Sequence, residues 1–227
     1  MLMEVCVLFS GGKDSCYALY KAMQEHDIKC LLTMLPEKSD SWMFHYPMAG
    51  MARLQAEAIG FKHFEKKTSG VREKELEDLK TAIKEMRVEG VITGAIASEY
   101  QKKRIDKICQ ELKIKSIAPL WQRDSEEMLR EEIRNGFEIV IVGVYAEGFD
   151  KSWIGRRIDE ECVDDLVKLN KRYGINISGE GGEYESFVMD GPIFRKKVQI
   201  VKASMFWDEK TGSGHMAADY AKLVDKN

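Results

Sequence analysis

Val5-Cys6-Val7-Leu8-Phe9 runs into Ser10-Gly11-Gly12-Lys13-Asp14-Ser15, and the fold reads outward from this junction. The first stretch is apolar on both alternations and of strand length. Such a run suits a strand buried on both faces of a parallel sheet. Beyond the glycines, Cys16, Leu19, Tyr20 and Met23 recur at helical spacing. The glycines therefore sit at a strand-to-helix turn, where backbone N–H groups and the positive end of a helix face outward. Gly11 and Gly12 permit backbone conformations and close approach that a Cβ would block. Lys13 adds a mobile positive charge, and Ser10 and Ser15 add hydroxyls. These are the requirements for holding a polyphosphate. The pattern Gly-x-x-x-x-Gly-Lys-Ser/Thr is absent, so this is not a Walker A loop.

The chain has 227 residues, enough for one large or two small domains with a real core. Lys plus Arg number 35 and Asp plus Glu 38, for a net charge of −3, which argues against stable nucleic-acid binding over a broad basic surface. No apolar run approaches a membrane span, and the N-terminus lacks a signal-peptide pattern. A soluble, cytoplasmic protein is expected, with no membrane partner. The cysteines (6, 16, 30, 109 and 162) are scattered and mostly at apolar-periodic positions, so they read as reduced core residues. With no Cys-x-x-Cys pair and no histidine at ligand spacing, no zinc site is signalled.

In order, Cys30–Leu35 reads as a second buried strand ended by Pro36. Ser41-Trp42-Met43-Phe44-His45 lies in an irregular stretch expected to loop over the sheet. Met51, Leu54, Ala58 and Ile59 mark a helix stopped by Gly60. Residues 61–66 form a short strand. Leu76, Leu79, Ile83 and Met86 mark a helix closed near Gly90. Val91–Ile96 is a strand, Ile105, Ile108, Cys109 and Leu112 a helix, and 114–120 the last strand of the set. This alternation implies a five-stranded parallel sheet with helices on both faces. Ligands of such sheets bind beyond the carboxyl ends of the strands. Ser10–Ser15, Thr33, Met34, the 41–48 loop with His45, and the stretch from Gly94 to Gln101 then surround one crevice.

The pattern changes near Trp121. Asp124-Ser125-Glu126-Glu127 reads as a capping box, 138–145 as a β-branched strand, and Ile158 to Val167 as an amphipathic helix. A glycine- and glutamate-rich loop spans 179–192. Val198–Phe206 is read as the last strand, and the polar tail from Asp208 as peripheral, with room for a turn of helix over 216–224. Residues 1–121 and 122–227 are expected to form two domains, the second a smaller α+β unit.

Three constellations carry chemistry. In the first loop, Lys13 neutralises phosphate charge and the amides hold phosphate oxygens. Asp14 suits either a Mg²⁺ contact or a helix cap, since Mg²⁺ usually binds through one or two carboxylates plus phosphates. The second runs from Gly94 to Arg104, where Ser98 and Gln101 fit a capping box compatible with ligand contact. The third is the late loop, in which clustered glycines and the carboxylates at 180, 183 and 185 are costly; a loop that binds metal, ammonium or a cationic substrate explains both, and a solvated acidic turn is the alternative.

The first loop resembles the pyrophosphate loop of the N-type ATP pyrophosphatases, which have an adenine-nucleotide α-hydrolase-like, Rossmann-like fold and cleave ATP between the α and β phosphates. With Ser41–His45, Gly94-Ala95-Ile96, Ser98-Glu99-Tyr100-Gln101, Pro119–Arg123, Gly179-Glu180-Gly181-Gly182-Glu183-Tyr184, Phe187-Val188 and Asp190-Gly191-Pro192, the chain is similar to the diphthine–ammonia ligases from Val5 to about Phe194. Eukaryotic members usually carry His-Thr at Glu185-Ser186, a departure on the acceptor side.

The resemblance implies adenylation of diphthine on translation elongation factor 2, displacement of AMP by ammonium, and use of ATP and Mg²⁺. It implies an ATP-binding first domain and a substrate-binding second domain. Nucleotide contacts fall to Ser10, Gly11, Gly12, Lys13, Asp14, Ser15, Thr33, Met34, His45, Gly94 and Ser98, with Asp14 on the metal. Acceptor contacts fall to Glu99, Tyr100, Gln101, Arg104, Trp121, Gly181, Gly182, Tyr184 and Glu185. Lys13, Asp14, Glu180 and Glu183 are the expected catalytic set. The late loop is expected to reach over the nucleotide, with Tyr184 facing the quaternary ammonium; the alternative is that its glutamates only fix the loop by bonding its own backbone amides. The chain starts almost at its first strand, so free ammonium rather than a glutaminase domain is the expected nitrogen source. A homo-oligomer is compatible with all of this. The rival readings are a tRNA thiolase or lysidine synthetase of the same superfamily, and a nucleotide-binding regulator without chemistry.

Overall fold

The computed structural model describes residues 2–36, 48–69 and 72–226. The chain divides into two compact units, Met1–Trp121 and Gln122–Asn227.

The first unit alternates strands β1 (Glu4–Leu8), β2 (Asp27–Pro36), β3 (His63–Thr68), β4 (Gly90–Ile92) and β5 (Lys115–Ile117) with helices α1 (Lys13–Ala22), α2 (Ala52–Ile59), α3 (Arg72–Met86) and α4 (Glu99–Leu112). The strands lie in the order β3-β2-β1-β4-β5, all parallel. Val5, Cys6 and Val7 are fully buried, as a strand covered on both faces requires. Cys6, Cys30, Leu32, Met34 and Val91 form one apolar face with Leu79 and Ile83 of α3 and Ile105, Ile108 and Cys109 of α4. The strand order reverses between β1 and β4, whose carboxyl ends lead into the turns that start α1 and α4; ligands of such sheets bind at this position.

Gly60 ends α2 in the left-handed conformation (φ 90°), as its position predicts. Other boundaries differ from expectation. Met23 is the C-cap of α1 and 42% exposed, so the apolar stripe ends one turn earlier. Gly90 opens β4 instead of closing α3. β4 stops at Ile92, although the Thr93 amide still donates to the Ile117 carbonyl at 2.9 Å. Past that bond the chain leaves the sheet for the first turn of α4.

In the second unit, α5 (Ser125–Arg134), β6 (Glu138–Val144) and α6 (Glu160–Tyr173) precede β7 (Tyr184–Asp190), β8 (Lys196–Asp208) and β9 (Ser213–Asp225). Asp124 caps α5, accepting from the Glu127 amide at 2.8 Å, and Asp159 caps α6. The four strands form an antiparallel sheet in the order β7-β6-β9-β8. Two expectations fail here. Tyr184–Asp190 is a strand, so the late loop ends at Glu183. Residues 216–224 are no helical turn but part of β9, paired with β8 from Lys196↔Asp225 to Asp208↔Ser213. Much of this hairpin is exposed, so it lacks the apolar/polar alternation by which a half-buried strand is read.

Candidate active site

The phosphate-type loop is tied from within by the Ser15 hydroxyl. It accepts from the Ser10 amide (3.2 Å), the Gly11 amide (3.2 Å) and the Ser10 hydroxyl (3.1 Å), and donates to the Gly12 carbonyl (3.0 Å). Ser15 is therefore a clasp for the turn, and Ser10 in turn accepts from the Gly12 amide at 3.3 Å. Gly12 is the N-cap of α1 and supplies no side-chain acceptor to the helix end. An anion is the natural complement to such an end.

A second tie comes from α2. Gln55, fully buried, donates its Nε2 to the Gly11 carbonyl at 2.8 Å. Gly11 has φ +82°, and a Cβ there would lie 1.9 Å from Gln55 Oε1. In a trans peptide the carbonyl and the next amide point in opposite directions. Holding the Gly11 carbonyl from below thus turns the Gly12 amide away from α2. Sequence reasoning missed Gln55. The signal was an amide on the otherwise apolar face made by Ala52, Ala56 and Ile59.

Lys13 is 1% exposed, and its Nζ lies 2.5 Å from Asp14 Oδ1. A buried ammonium needs a negative partner, and here the neighbouring carboxylate provides one. Asp14 stands in the first turn of α1, where a carboxylate complements the helix dipole. Its side chain is 31% exposed. Among the described residues no group of three or more His, Cys, Asp or Glu is arranged to hold a metal. That donor set fits Mg²⁺ bound chiefly by phosphates with one carboxylate, and does not fit a caged ion.

Gly94 brings β4 against α1. A Cβ there would lie 2.8 Å from the Asp14 carbonyl carbon and 3.0 Å from the Ser15 nitrogen, so the position demands glycine for close approach. Two other expected nucleotide contacts have buried side chains. Thr33 is 1% exposed, and its hydroxyl donates to the Phe9 carbonyl (2.5 Å) while lying 2.7 Å from His63 Nε2. That donation leaves Thr33 as acceptor, so His63 carries its proton on Nε2. Burial holds the His63 pKa below its ordinary value. Met34 belongs to the apolar cluster with α3. Both side chains brace the strand end from within the first unit. His45 lies outside the described residues.

Ser98 caps α4, accepting from the Gln101 amide at 3.4 Å. Glu99 pairs with Lys103 at 2.8 Å. The Arg104 guanidinium stacks 3.3 Å above the Tyr100 ring centroid and donates to the Tyr100 carbonyl. Lys102 lies 5.4 Å over the Trp121 ring. The first turns of α4 and Trp121 thus form one amphipathic patch within the first unit.

The late loop is tied differently. Asn176 Oδ1 accepts from both the amide and the hydroxyl of Ser178, and the Gly182 amide donates to the Gly179 carbonyl at 3.0 Å. Glu183 folds back so that Oε1 accepts from the Asn176 amide at 2.9 Å, and its Oε2 is a buried oxygen. Tyr184 is 3% exposed, with its hydroxyl donating to the Ile177 carbonyl at 2.9 Å. Its ring is turned into the unit's own core, against the expectation that it faces an incoming cation. Gly181 and Gly182 are exposed. Glu180 stands on the same turn. Glu185 lies opposite Gly143 of β6. Burial pushes its carboxyl up to about 8. Tyr145, which the sequence reading also missed, lies over Gly143. Its hydroxyl would be 2.6 Å from a Cβ at that glycine, and burial, with the Glu185 charge, raises its phenol.

Two family models match the chain, the diphthamide synthase N-terminal domain over residues 3–116 and the diphthamide synthase C-terminal domain over residues 124–223. A diphthine–ammonia ligase of Rattus norvegicus is 35% identical, over 87% of this chain and 83% of that one. One of Schizosaccharomyces pombe is 33% identical over 87% of this chain, but that stretch is only 36% of the longer yeast protein. Among solved structures, a predicted subunit of a tRNA methyltransferase from Methanocaldococcus jannaschii is 18% identical, covering 84% of this chain and 98% of that one with a TM-score of 0.44.

Proposed function

Since this chain belongs to the diphthamide synthase family of diphthine–ammonia ligases, we propose that it joins ammonia to the carboxyl group of diphthine on translation elongation factor 2, using ATP. It is a ligase that forms a C–N bond. The observation that carries the assignment is the buried Lys13 at the N-terminus of α1, under a glycine turn at the point where the strand order reverses.

The chemistry we propose runs in two steps. A carboxylate oxygen of the acceptor attacks the α-phosphorus, the bond from that phosphorus to the oxygen bridging the β-phosphate breaks, and pyrophosphate leaves. Lys13 and the loop amides take up the charge that develops on the departing phosphates. Ammonium then gives up a proton, its nitrogen attacks the acyl carbon, the bond to AMP breaks, and a second proton is lost as the amide forms. Mg²⁺, held by Asp14 and phosphate oxygens, would draw charge from the triphosphate. Gln55 and Ser15 position the loop, and Gly94 admits it against β4. In this reading the first unit binds ATP, with Ser98 at its rim. Glu99, Tyr100, Gln101, Arg104 and Trp121 offer the acceptor a mixed aromatic and charged patch. The second unit binds the acceptor through the crest of its loop, half-buried Glu180 with exposed Gly181 and Gly182, and with Glu185 on the strand that follows. Glu183 and Tyr184 shape that loop from inside.

The test is mass spectrometry of unamidated elongation factor 2 incubated with this protein, ATP, Mg²⁺ and ammonium. Conversion of the diphthine carboxyl to the amide is expected, dependent on both ATP and ammonium. Activity with glutamine but none with ammonium would contradict the nitrogen source, and no conversion with either would contradict the function.

A further inference from the structure

β8 is the terminal strand of its sheet, so one edge of a thirteen-residue strand is left for another chain. Its exposed apolar side chains are concentrated there. Met205 is 55% exposed and Phe206 52%, and Phe206 stacks on His215 of β9 at 5.1 Å between centroids. Long apolar edges invite strand pairing and are normally blunted by bulges, charges or proline. This edge is blunted on one side only. The pairing with β9 shifts register between Ile200 and Lys202, where Val201 is left over as a bulge. From Lys202 to Asp208 no residue of β8 is skipped; a second shift, between Lys202 and Ala203, leaves over Asp219 of β9, and from Ala203 to Asp208 the pairing is one-to-one.

The sequence of β8 from Lys202 to Asp208 is self-complementary. If it meets a second copy antiparallel with Met205 opposite Met205, then Lys202 falls opposite Asp208 at both ends, and Phe206 opposite Ser204. Both charged residues are exposed. Side chains directly opposite share a face, so the two Lys–Asp pairs flank the two Phe206 rings, which become diagonal neighbours. One two-fold axis satisfies every element at once, as an isologous interface requires. We propose that this protein forms a homodimer by antiparallel pairing of residues 202–208 of β8 with the same residues of a second copy, which joins the two four-stranded sheets into one. The bulge at Val201 ends the pairing on the side where like charges at Lys196 and Lys197 follow.

Sedimentation equilibrium of the full chain tests this. The native protein should have twice the 26.0 kDa chain mass. Lys202→Asp should raise the dimer dissociation constant about tenfold or more, because the two-fold axis turns two attractions into two repulsions. Asp208→Lys should do the same, and the double exchange Lys202→Asp with Asp208→Lys should restore dimerisation. The restored double variant also excludes misfolding as the cause of the single-variant losses. A monomer at the highest soluble concentration overturns the proposal, including the case in which the edge serves the protein substrate instead. So does a dimer indifferent to both single exchanges, or one that the double exchange fails to restore.

Discussion

The chain carries two short loops built from the same materials, Ser10–Ser15 and Ser178–Glu183. Each combines serine hydroxyls, paired glycines at positive φ or close approach, and charged side chains. Their surroundings make them different devices. The first ends a parallel strand and starts a helix, so its amides and the helix end add to one positive field around a buried lysine. The second enters an antiparallel strand with no helix behind it, and its Glu183 is bound to the loop's own Asn176 amide. Composition suggests binding in both. Topology allows an anion site only in the first, and leaves the second as an internally tied turn with an exposed crest of Gly181 and Gly182 beside half-buried Glu180.

The largest expected effect is at Lys13. Lys13→Ala should lower ATP-dependent amidation about ten- to a hundredfold, the equivalent of one charge-assisted contact of roughly 1.5–3 kcal/mol. Steady-state pyrophosphate release measures it, and unchanged turnover would remove the loop from the mechanism. Next comes a matched glycine pair. Gly11 and Gly182 have similar angles, φ +82° and +86°, but a Cβ at Gly11 meets Gln55 at 1.9 Å whereas one at Gly182 meets nothing within 4 Å. Gly182→Ala should therefore cost only the left-handed strain, about 1–2 kcal/mol. Gly11→Ala should cost more than that in thermal or denaturant unfolding, and should also weaken ATP binding. Equal losses at the two positions would mean that Gln55 does not brace the loop.

At Glu183 a smaller change is expected. Glu183→Ala removes the acceptor for the Asn176 amide and should destabilise by about 0.5–3 kcal/mol. Glu183→Gln keeps an oxygen for that amide and should leave both stability and ATP binding nearly native. Loss of amidation in a Glu183→Gln protein of native stability would instead make this carboxylate part of the acceptor site. The smallest effect concerns pH. Burial raises Glu185 from 4.5 to about 8, so the folded state binds this proton more tightly than the unfolded chain does. Its contribution is fully present below about pH 4.5 and is lost as pH rises towards 8. Glu185→Gln should flatten the fall in stability across that window, and an unaltered pH profile would show that the carboxyl is not shielded.

The parallel sheet was legible because its strands are apolar on both alternations and its glycines and capping residues punctuate them at the right places. Val5–Val7, Gly60, Ser98 and Asp124 all behave as their local chemistry dictates. The β8–β9 hairpin was only half legible. Residues 213–225 are mostly half-buried, with Gly214 and Met216 alone buried, so no apolar/polar alternation runs the length of the strand to record its register, and Gly212 (φ +61°) marks the turn. In the site, loop residues adjacent in sequence could be read together. Gln55, Thr33 and His63 could not, because their roles depend on contacts made across 24 to 44 residues. Tyr184 looked available for a ligand because aromatic residues in glycine-rich loops often are. It is instead the first residue of a strand and fills the core beneath the loop.

The central claim is that the Ser10–Ser15 loop holds a triphosphate for attack at its α-phosphorus. It is tested most directly by following ATP labelled at the α-phosphate in the presence of diphthine-bearing elongation factor 2, Mg²⁺ and ammonium. The account predicts that the label appears as AMP, in equal amount to the amide formed, and that Lys13→Ala suppresses both together. Labelled ADP as the direct product, or AMP formed equally well by the Lys13→Ala protein, would contradict it.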